Sequence, residues 1–230
     1  MALLRSRKSQ ETENPLLMPP VQLACKPIFV QLQSETPLGN PMVIGVTSPS
    51  RGDGRSTLTL GLASAAAAVT GKQGRVLVVD ADITNPTLHL RCGVARAPGL
   101  YEVVTGQVPV NEVIAEVKQG VWLLPAGSRP VNLIKFLKKL QELDILTGFG
   151  SQCDAVFVDL PPAYTPELGV LPPRLVPRLV MVTRAGTTRL DQLRSAVDTF
   201  PPECICAVVL NEYRERIPRM LRPLLDMDRV

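Results

Sequence analysis

Six short runs, "MVIGVT", "RVLVVD", "VWLLPA", "AVFVDL", "RLVMVT" and "ICAVVL", recur between Met42 and Leu210, each almost continuously apolar and rich in β-branched residues. A strand with one face in water alternates polar and apolar residues. A run without that alternation is buried on both faces, as in a parallel sheet covered by helices on either side. Helix-compatible stretches at 56–70, 109–118, 131–147 and 188–199 separate the runs. Strand and helix in alternation predict an α/β fold: a doubly wound, mostly parallel sheet flanked by helices. A chain of 230 residues is long enough for one such domain with appendages. Residues 1–22 read as a flexible N-terminal arm, since the prolines of "NPLLMPP" interrupt any helix there. That leaves 23–230 as a single domain, in which "IFVQLQSE" suits either a strand or a short helix.

Composition narrows the classes. With 45% hydrophobic and 20% charged residues the chain is a folded protein rather than a disordered one. A formal net charge of +4, from 25 Lys and Arg against 21 Asp and Glu, is too even to predict a nucleic-acid partner. The five cysteines (Cys25, Cys92, Cys153, Cys204 and Cys206) lack metal-ligand spacing and read as thiols in a reducing compartment. The longest apolar stretch, "LTLGLASAAAAV", has 12 residues and is too short to span a bilayer. "MALLRSRKSQ" carries no signal-peptide core, so the expectation is a cytoplasmic protein. The last stretch is basic (Arg214, Arg216, Arg219, Arg222 and Arg229), which suits a solvated face or contact with anionic lipid or a partner.

The segment "TSPSRGDGRST" follows the first run directly. A strand, a glycine-rich bend and a helix form a phosphate-binding loop, because successive backbone N–H groups point inward and the helix N-terminus favours negative charge. Gly52 and Gly54 let the backbone approach a phosphate, and Ser56 opens the helix where its hydroxyl can reach Mg²⁺. Two later runs end in acids, Asp80 and Asp82 in "VLVVDAD" and Asp159 in "AVFVDLPP". In open α/β sheets ligands bind beyond the carboxyl ends of the strands, so these acids are expected to gather around Ser56 as a metal–nucleotide site.

With "PGLYEVVTGQ", "VWLLPAGSRPVN" and "VVLN" in the same order, residues 42–211 resemble the bacterial tyrosine kinases of capsule and exopolysaccharide assembly. Those kinases belong to the ParA/MinD group of P-loop ATPases. The resemblance implies a P-loop NTPase fold, ATP or ADP with Mg²⁺ as cofactors, and a membrane polysaccharide chain-length regulator, on a separate chain, as partner and membrane recruiter. By the same resemblance Arg55 stands at the phosphate-loop lysine and Ser56 at the Mg²⁺ ligand. Asp80 and Asp82 match the second acidic motif, Asp159 the Walker B acid, and Asn211 a residue that reads the adenine edge. The candidate catalytic residues are therefore Asp80, Asp82, Asp159 and Arg55. Gly52, Asp53, Gly54, Arg55, Ser56, Thr57 and Asn211 are expected to bind nucleotide, and Ser56, Asp80, Asp82 and Asp159 to hold metal.

The chain departs from the family pattern at three places. Arg55 replaces the lysine with a larger, planar, fork-shaped cation. No tyrosine follows Tyr213, whereas the kinases phosphorylate a tyrosine-rich tail, and Tyr101 and Tyr164 read as packed residues of the domain. The segment before the loop lacks the Glu/Arg pattern that closes the family's oligomeric ring, which leaves a homo-oligomer open. Ser50 occupies the position of the lysine that partition-type ATPases use across their interface. His89, the one histidine, reads as structural or loop-borne, with no second metal ligand near it. The leading expectation is an ATP-binding regulator with weak or absent kinase activity. The alternatives are an active autokinase or ATPase, a ParA/MinD-type positioning ATPase, and a nucleotide-free scaffold.

Overall fold

A computed structural model describes residues 19–37, 42–71, 74–165, 169–170 and 175–213. The first 18 residues, most of the expected arm, and the basic stretch from residue 214 onward lie outside the described residues.

The elements run α1 (Pro19–Ser34), β1 (Val43–Thr47), α2 (Arg55–Thr70), β2 (Val76–Asp80), α3 (Leu88–Cys92), α4 (Leu100–Thr105), β3 (Ala115–Lys118), β4 (Val121–Leu124), α5 (Leu133–Glu142), α6 (Ile145–Gly150), β5 (Ala155–Asp159), β6 (Tyr164–Thr165), β7 (Gly169–Val170), β8 (Arg178–Arg184), α7 (Leu190–Val197) and β9 (Ile205–Asn211). Seven strands form one sheet in the order β3-β4-β2-β5-β1-β8-β9. The six apolar runs supply its six parallel strands, and every residue of β1, β2 and β5 is buried. β6 and β7 pair as a small separate ribbon.

The sheet separates two apolar layers. On one face α4, α5, α6 and α7 cover residues such as Leu77, Val79, Val156 and Met181. On the other α2 lies against Ile44, Val78 and Phe157, and α1 lies over α2. This double covering explains why α2 is apolar nearly all round rather than along one stripe. Its small residues permit close approach: a Cβ at Gly61 would stand 2.5 Å from Cys25 Sγ of α1. α1 in turn buries Cys25, Phe29 and Leu32, spaced by four and three residues along one helix face. Arg178 of β8 pins the end of α1, donating to the Leu32 carbonyl at 3.2 Å and pairing with Glu35 at 3.3 Å.

Three sequence expectations are corrected, and one left open between strand and helix is resolved. α1 begins at Pro19, inside the stretch read as a loose arm, because proline is tolerated in a first helical turn whose N–H groups have no intrahelical acceptor. The segment "IFVQLQSE" therefore belongs to a helix. Residues 109–118, read as helical, form a single 3₁₀ turn at Val110–Glu112 and then β3, which pairs antiparallel with the edge of the sheet. The β-branched Val110, Val113, Ile114 and Val117 favour that outcome. Residues 131–147 hold two helices, broken where Asp144 takes a left-handed conformation with φ 45°.

Candidate nucleotide site

The strand order places β5 between β2 and β1, so the carboxyl ends of these three strands stand side by side. Asp80 pairs in register with Asp159 across β2 and β5, and Asp159 with Val46 across β5 and β1. The first strand's end leads into the glycine loop, and α2 rises from it at Arg55. Gly54, with φ 105°, makes the bend, and a Cβ there would stand 2.1 Å from Asn211 Nδ2. Both the left-handed backbone and the close side chain require glycine.

Around this bend lies a cleft of about 380 Å³ whose lining includes Gly52, Gly54, Arg55, Ser56, Thr57, Asp82 and Asn211. Seven of the expected site residues thus converge. Asp80 and Asp159 lie buried beneath them, reached through Ser56 and the adjoining strand ends. Asp53 is placed differently. Its carboxylate faces the protein, accepting from the Ser50 N–H at 3.0 Å and the Thr188 hydroxyl at 3.0 Å. It shapes the loop from behind. Asn211 donates its side-chain amide to the Asp53 carbonyl at 3.0 Å, so it braces the same bend while lining the cleft.

The polar contacts at the loop form one network. Ser56 Oγ donates to Asp159 Oδ2 at 2.6 Å and lies 3.2 Å from Thr87 Oγ1. Arg55 turns its guanidinium back into the loop. One nitrogen donates to Ser48 Oγ at 2.8 Å and to the Ser50 carbonyl at 3.2 Å, and the other pairs with Asp82 at 3.2 Å. Asp82 also accepts from the Thr84 hydroxyl and the Asn85 N–H. Asp80 accepts from the Leu88 N–H at 3.1 Å, tying α3 to the strand end.

Burial above all, and then the neighbouring carboxylate of Asp159, push Asp80 well above the ordinary carboxylate range. Asp159 is pushed up to about 6, again chiefly by burial, with the Ser56 hydroxyl and the Arg55 charge opposing the rise. Each acid keeps one buried oxygen, Oδ1, without a hydrogen-bond partner. Such orphaned acceptors beside a serine hydroxyl are what a hydrated divalent cation satisfies. Among the described residues no three His, Cys, Asp or Glu side chains form a metal cage by themselves. Mg²⁺ does not require one, since it keeps several waters and takes few protein ligands when phosphate is present. The donor set therefore fits a hydrated Mg²⁺ carried by a nucleotide.

Sequence reasoning missed several contributors. Thr87 and Arg91 line the cleft, and Thr188 and Ser48 support the loop. "NPT" before a short helix offers Thr87 only as an N-cap position, where its side chain makes no cap bond, so that signal does not reveal its place in the cleft. Tyr101 packs on Phe136 as expected, with ring centroids 5.7 Å apart. Tyr164 instead stands half exposed on the ribbon, its hydroxyl donating to the Ser195 carbonyl at 2.6 Å. His89 keeps a buried Nδ1 without a hydrogen-bond partner, and burial followed by the charge of Arg96 lowers its pKa.

A parallel sheet with a glycine loop feeding its central helix, and acids at the adjoining strand ends, defines a P-loop NTPase. No protein-family model matches the chain. It is 32% identical over 161 residues to the putative tyrosine-protein kinase EpsB of Ralstonia nicotianae, a match covering 69% of this chain and 21% of the relative. It is 25% identical over 159 residues to the tyrosine-protein kinase ptk of Acinetobacter johnsonii, with the same coverage. The chain thus spans about a fifth of the length of these relatives. The kinase domain of the Escherichia coli tyrosine kinase ETK superposes with a TM-score of 0.74 at 20% identity, over 93% of this chain and 86% of that one. The septum site-determining protein MinD of Pyrococcus horikoshii, complexed with Mg-ADP, gives 0.58 at 22% identity, over 78% and 74%. The chain's homologues are bacterial tyrosine kinases, and its fold is the one they share with MinD-like P-loop ATPases. Among the described residues no helix is long and apolar enough to cross a membrane.

Proposed function

We propose that the chain is a nucleotide-binding regulatory module of exopolysaccharide or capsule biosynthesis, taking Mg²⁺-ATP or Mg²⁺-ADP in the cleft at the head of α2 and transferring phosphate slowly or not at all. One observation carries the reading: the guanidinium of Arg55 lies folded into the loop, bonded to Ser48, Ser50 and Asp82. Affinity for phosphate comes mainly from loop N–H groups and the helix N-terminus, which the substitution leaves in place. Phosphoryl transfer depends instead on charge positioned for the transition state, and a planar fork held by three partners is poorly placed for that.

Ser56 and Asp159, with Asp80 and Asp82 beside them, are the residues that would hold the hydrated cation. The ion would neutralise phosphate charge. Gly52, Gly54 and Thr57 line the phosphate end, and Asn211 braces the bend beside it. The Mg-ADP carried by MinD, a protein of the same fold, supports this ligand class. The polysaccharide pathway, and a membrane chain-length regulator as partner, rest on the resemblance to the bacterial tyrosine kinases. An active autokinase or ATPase is the second reading, favoured by the retained Ser56–Asp159 contact and the paired acids at the strand ends.

Calorimetry with Mg²⁺-ADP and Mg²⁺-ATP, alongside release of ADP from ATP by the same preparation, tests both readings. Binding with little release supports the regulatory module, and binding with sustained release supports the enzyme. Absence of binding by either nucleotide at millimolar concentration rejects both.

A further inference from the structure

The face of α5 turned away from the core carries a combination that no nucleotide chemistry needs. Phe136, Leu137 and Leu140 bury its inner side. Val131, just before the helix, is 101% exposed, and Ile134 in its first turn is 67% exposed. Arg129, Lys135, Lys138 and Lys139, all exposed, lie within a few residues of these two along the chain. A 100° step per residue puts Lys135 and Lys138 near the centre of the outer face of the helix, with Ile134 and Lys139 on its flanks, while Val131 precedes the extended cap residue Asn132 at the head of the helix. Lys138 pairs weakly with Glu142 at 3.8 Å, whereas Arg129, Lys135 and Lys139 form no salt bridge among the described residues.

We infer that this face of α5 docks on an anionic membrane surface. Aliphatic tips on a convex helix, ringed by long flexible cations, match an interface where apolar groups enter the acyl boundary and lysines reach the headgroups. A protein partner fits less well. Specific protein interfaces bury at least about 1,200 Å² around fully enclosed anchors, and two aliphatic side chains on a convex face supply no such centre. The chain turns from β4 into α5 at the carboxyl edge of the sheet, so the patch shares that edge with the nucleotide cleft. Contact there would bring the cleft close to the bilayer without any spanning segment.

The test is co-sedimentation of the full chain with phosphatidylcholine vesicles, with and without phosphatidylserine, across a salt series. The chain is expected to pellet only with the anionic vesicles and to be released by salt. Each cation contributes about fivefold to partitioning. Lys135→Glu with Lys139→Glu is therefore expected to weaken binding by at least about tenfold. Val131→Ser with Ile134→Ser is expected to weaken it severalfold while leaving the salt dependence intact. All four positions are exposed, and an unchanged circular-dichroism melt checks that the variants fold. The inference is overturned if no anionic vesicle binds, or if the Lys135→Glu, Lys139→Glu chain binds like the wild type. It is overturned equally if polyglutamate binds while vesicles do not, which would assign the face to an acidic polypeptide.

Discussion

Arg55 and Asp82 form a salt bridge at 3.2 Å in which both side chains are largely buried, at the mouth of a phosphate-binding loop. The contact occupies the cation of the loop with an acid of the adjoining strand end, and the same guanidinium donates two further bonds, to the Ser48 hydroxyl and the Ser50 carbonyl. Lysine at this position cannot reproduce the three contacts, because its charge is a compact point on a flexible stem. Arg55→Lys is therefore expected to leave Mg²⁺-ATP affinity within about tenfold and to raise turnover by about 10 to 100 times, the scale on which misplacement by an ångström acts. Isothermal calorimetry and a phosphate-release assay read the two effects separately. A wild-type chain already turning over as fast as its lysine variant would make Arg55 a working replacement.

The carboxylate pair at the ends of β2 and β5 gives a pH dependence with a definite sign. Asp159 is held up at about 6, and Asp80 is displaced in the same direction. A carboxyl group whose folded pKa exceeds its unfolded one favours the folded state while protonated, and that contribution fades as pH rises through the folded value. The nucleotide-free chain is thus expected to lose stability between about pH 4, the unfolded carboxylate value, and the folded value of about 6. Asp159→Asn keeps the shape and removes one titrating group, so its thermal midpoint is expected to vary less over that window. Parallel wild-type and variant melting curves would exclude Asp159 as a source of the dependence.

The six parallel strands were readable because their apolar runs are continuous, a pattern that burial on both faces imposes residue by residue. β3 escaped because it is a half-buried edge strand whose Glu116 and Lys118 are equally at home on a helix surface. The break between α5 and α6 depends on one left-handed residue, Asp144, and no periodicity announces it. In the site, Ser56 and the acids at the strand ends were legible because strand ends define where ligands sit. Thr87 and Thr188 were not, since each acts on a partner 31 or 135 residues away. Asp53 shows the complementary limit: its place in the loop was plain, but the direction of its side chain is decided by Thr188 and Ser50.

Thr188 provides the next test. Its hydroxyl accepts from the Arg184 N–H at 2.8 Å and donates to Asp53, which in turn accepts from Ser50 of the loop. Thr188→Val keeps the volume and removes both bonds, leaving a buried carboxylate oxygen short of a donor at a cost of about 1–3 kcal/mol. If the loop needs that brace to hold its N–H groups inward, Mg²⁺-ADP affinity should fall by about 5- to 100-fold. Thr188→Ser should restore it. Equal affinity in the valine variant, measured by calorimetry, would show that the loop holds its shape without Thr188.

Gly54 and Asn211 separate conformational from steric demands at the bend. Gly54→Ala introduces a Cβ at 2.1 Å from Asn211 Nδ2 and forces a side chain onto a backbone with φ 105°. The second demand alone costs about 1–3 kcal/mol. Gly54→Ala is therefore expected to weaken Mg²⁺-ADP binding by at least about tenfold while the circular-dichroism spectrum stays that of a folded α/β chain. Asn211→Ala removes the clash together with the brace on the Asp53 carbonyl, and is expected to weaken binding moderately. Combining the two should recover only the steric part of the loss, because nothing in the double variant relaxes the backbone. A double-mutant cycle on affinity reads this as a favourable coupling smaller than the Gly54→Ala loss itself. Full recovery in the double variant would mean that the loop tolerates a side chain at this φ, and that crowding by Asn211 alone had made Gly54 necessary.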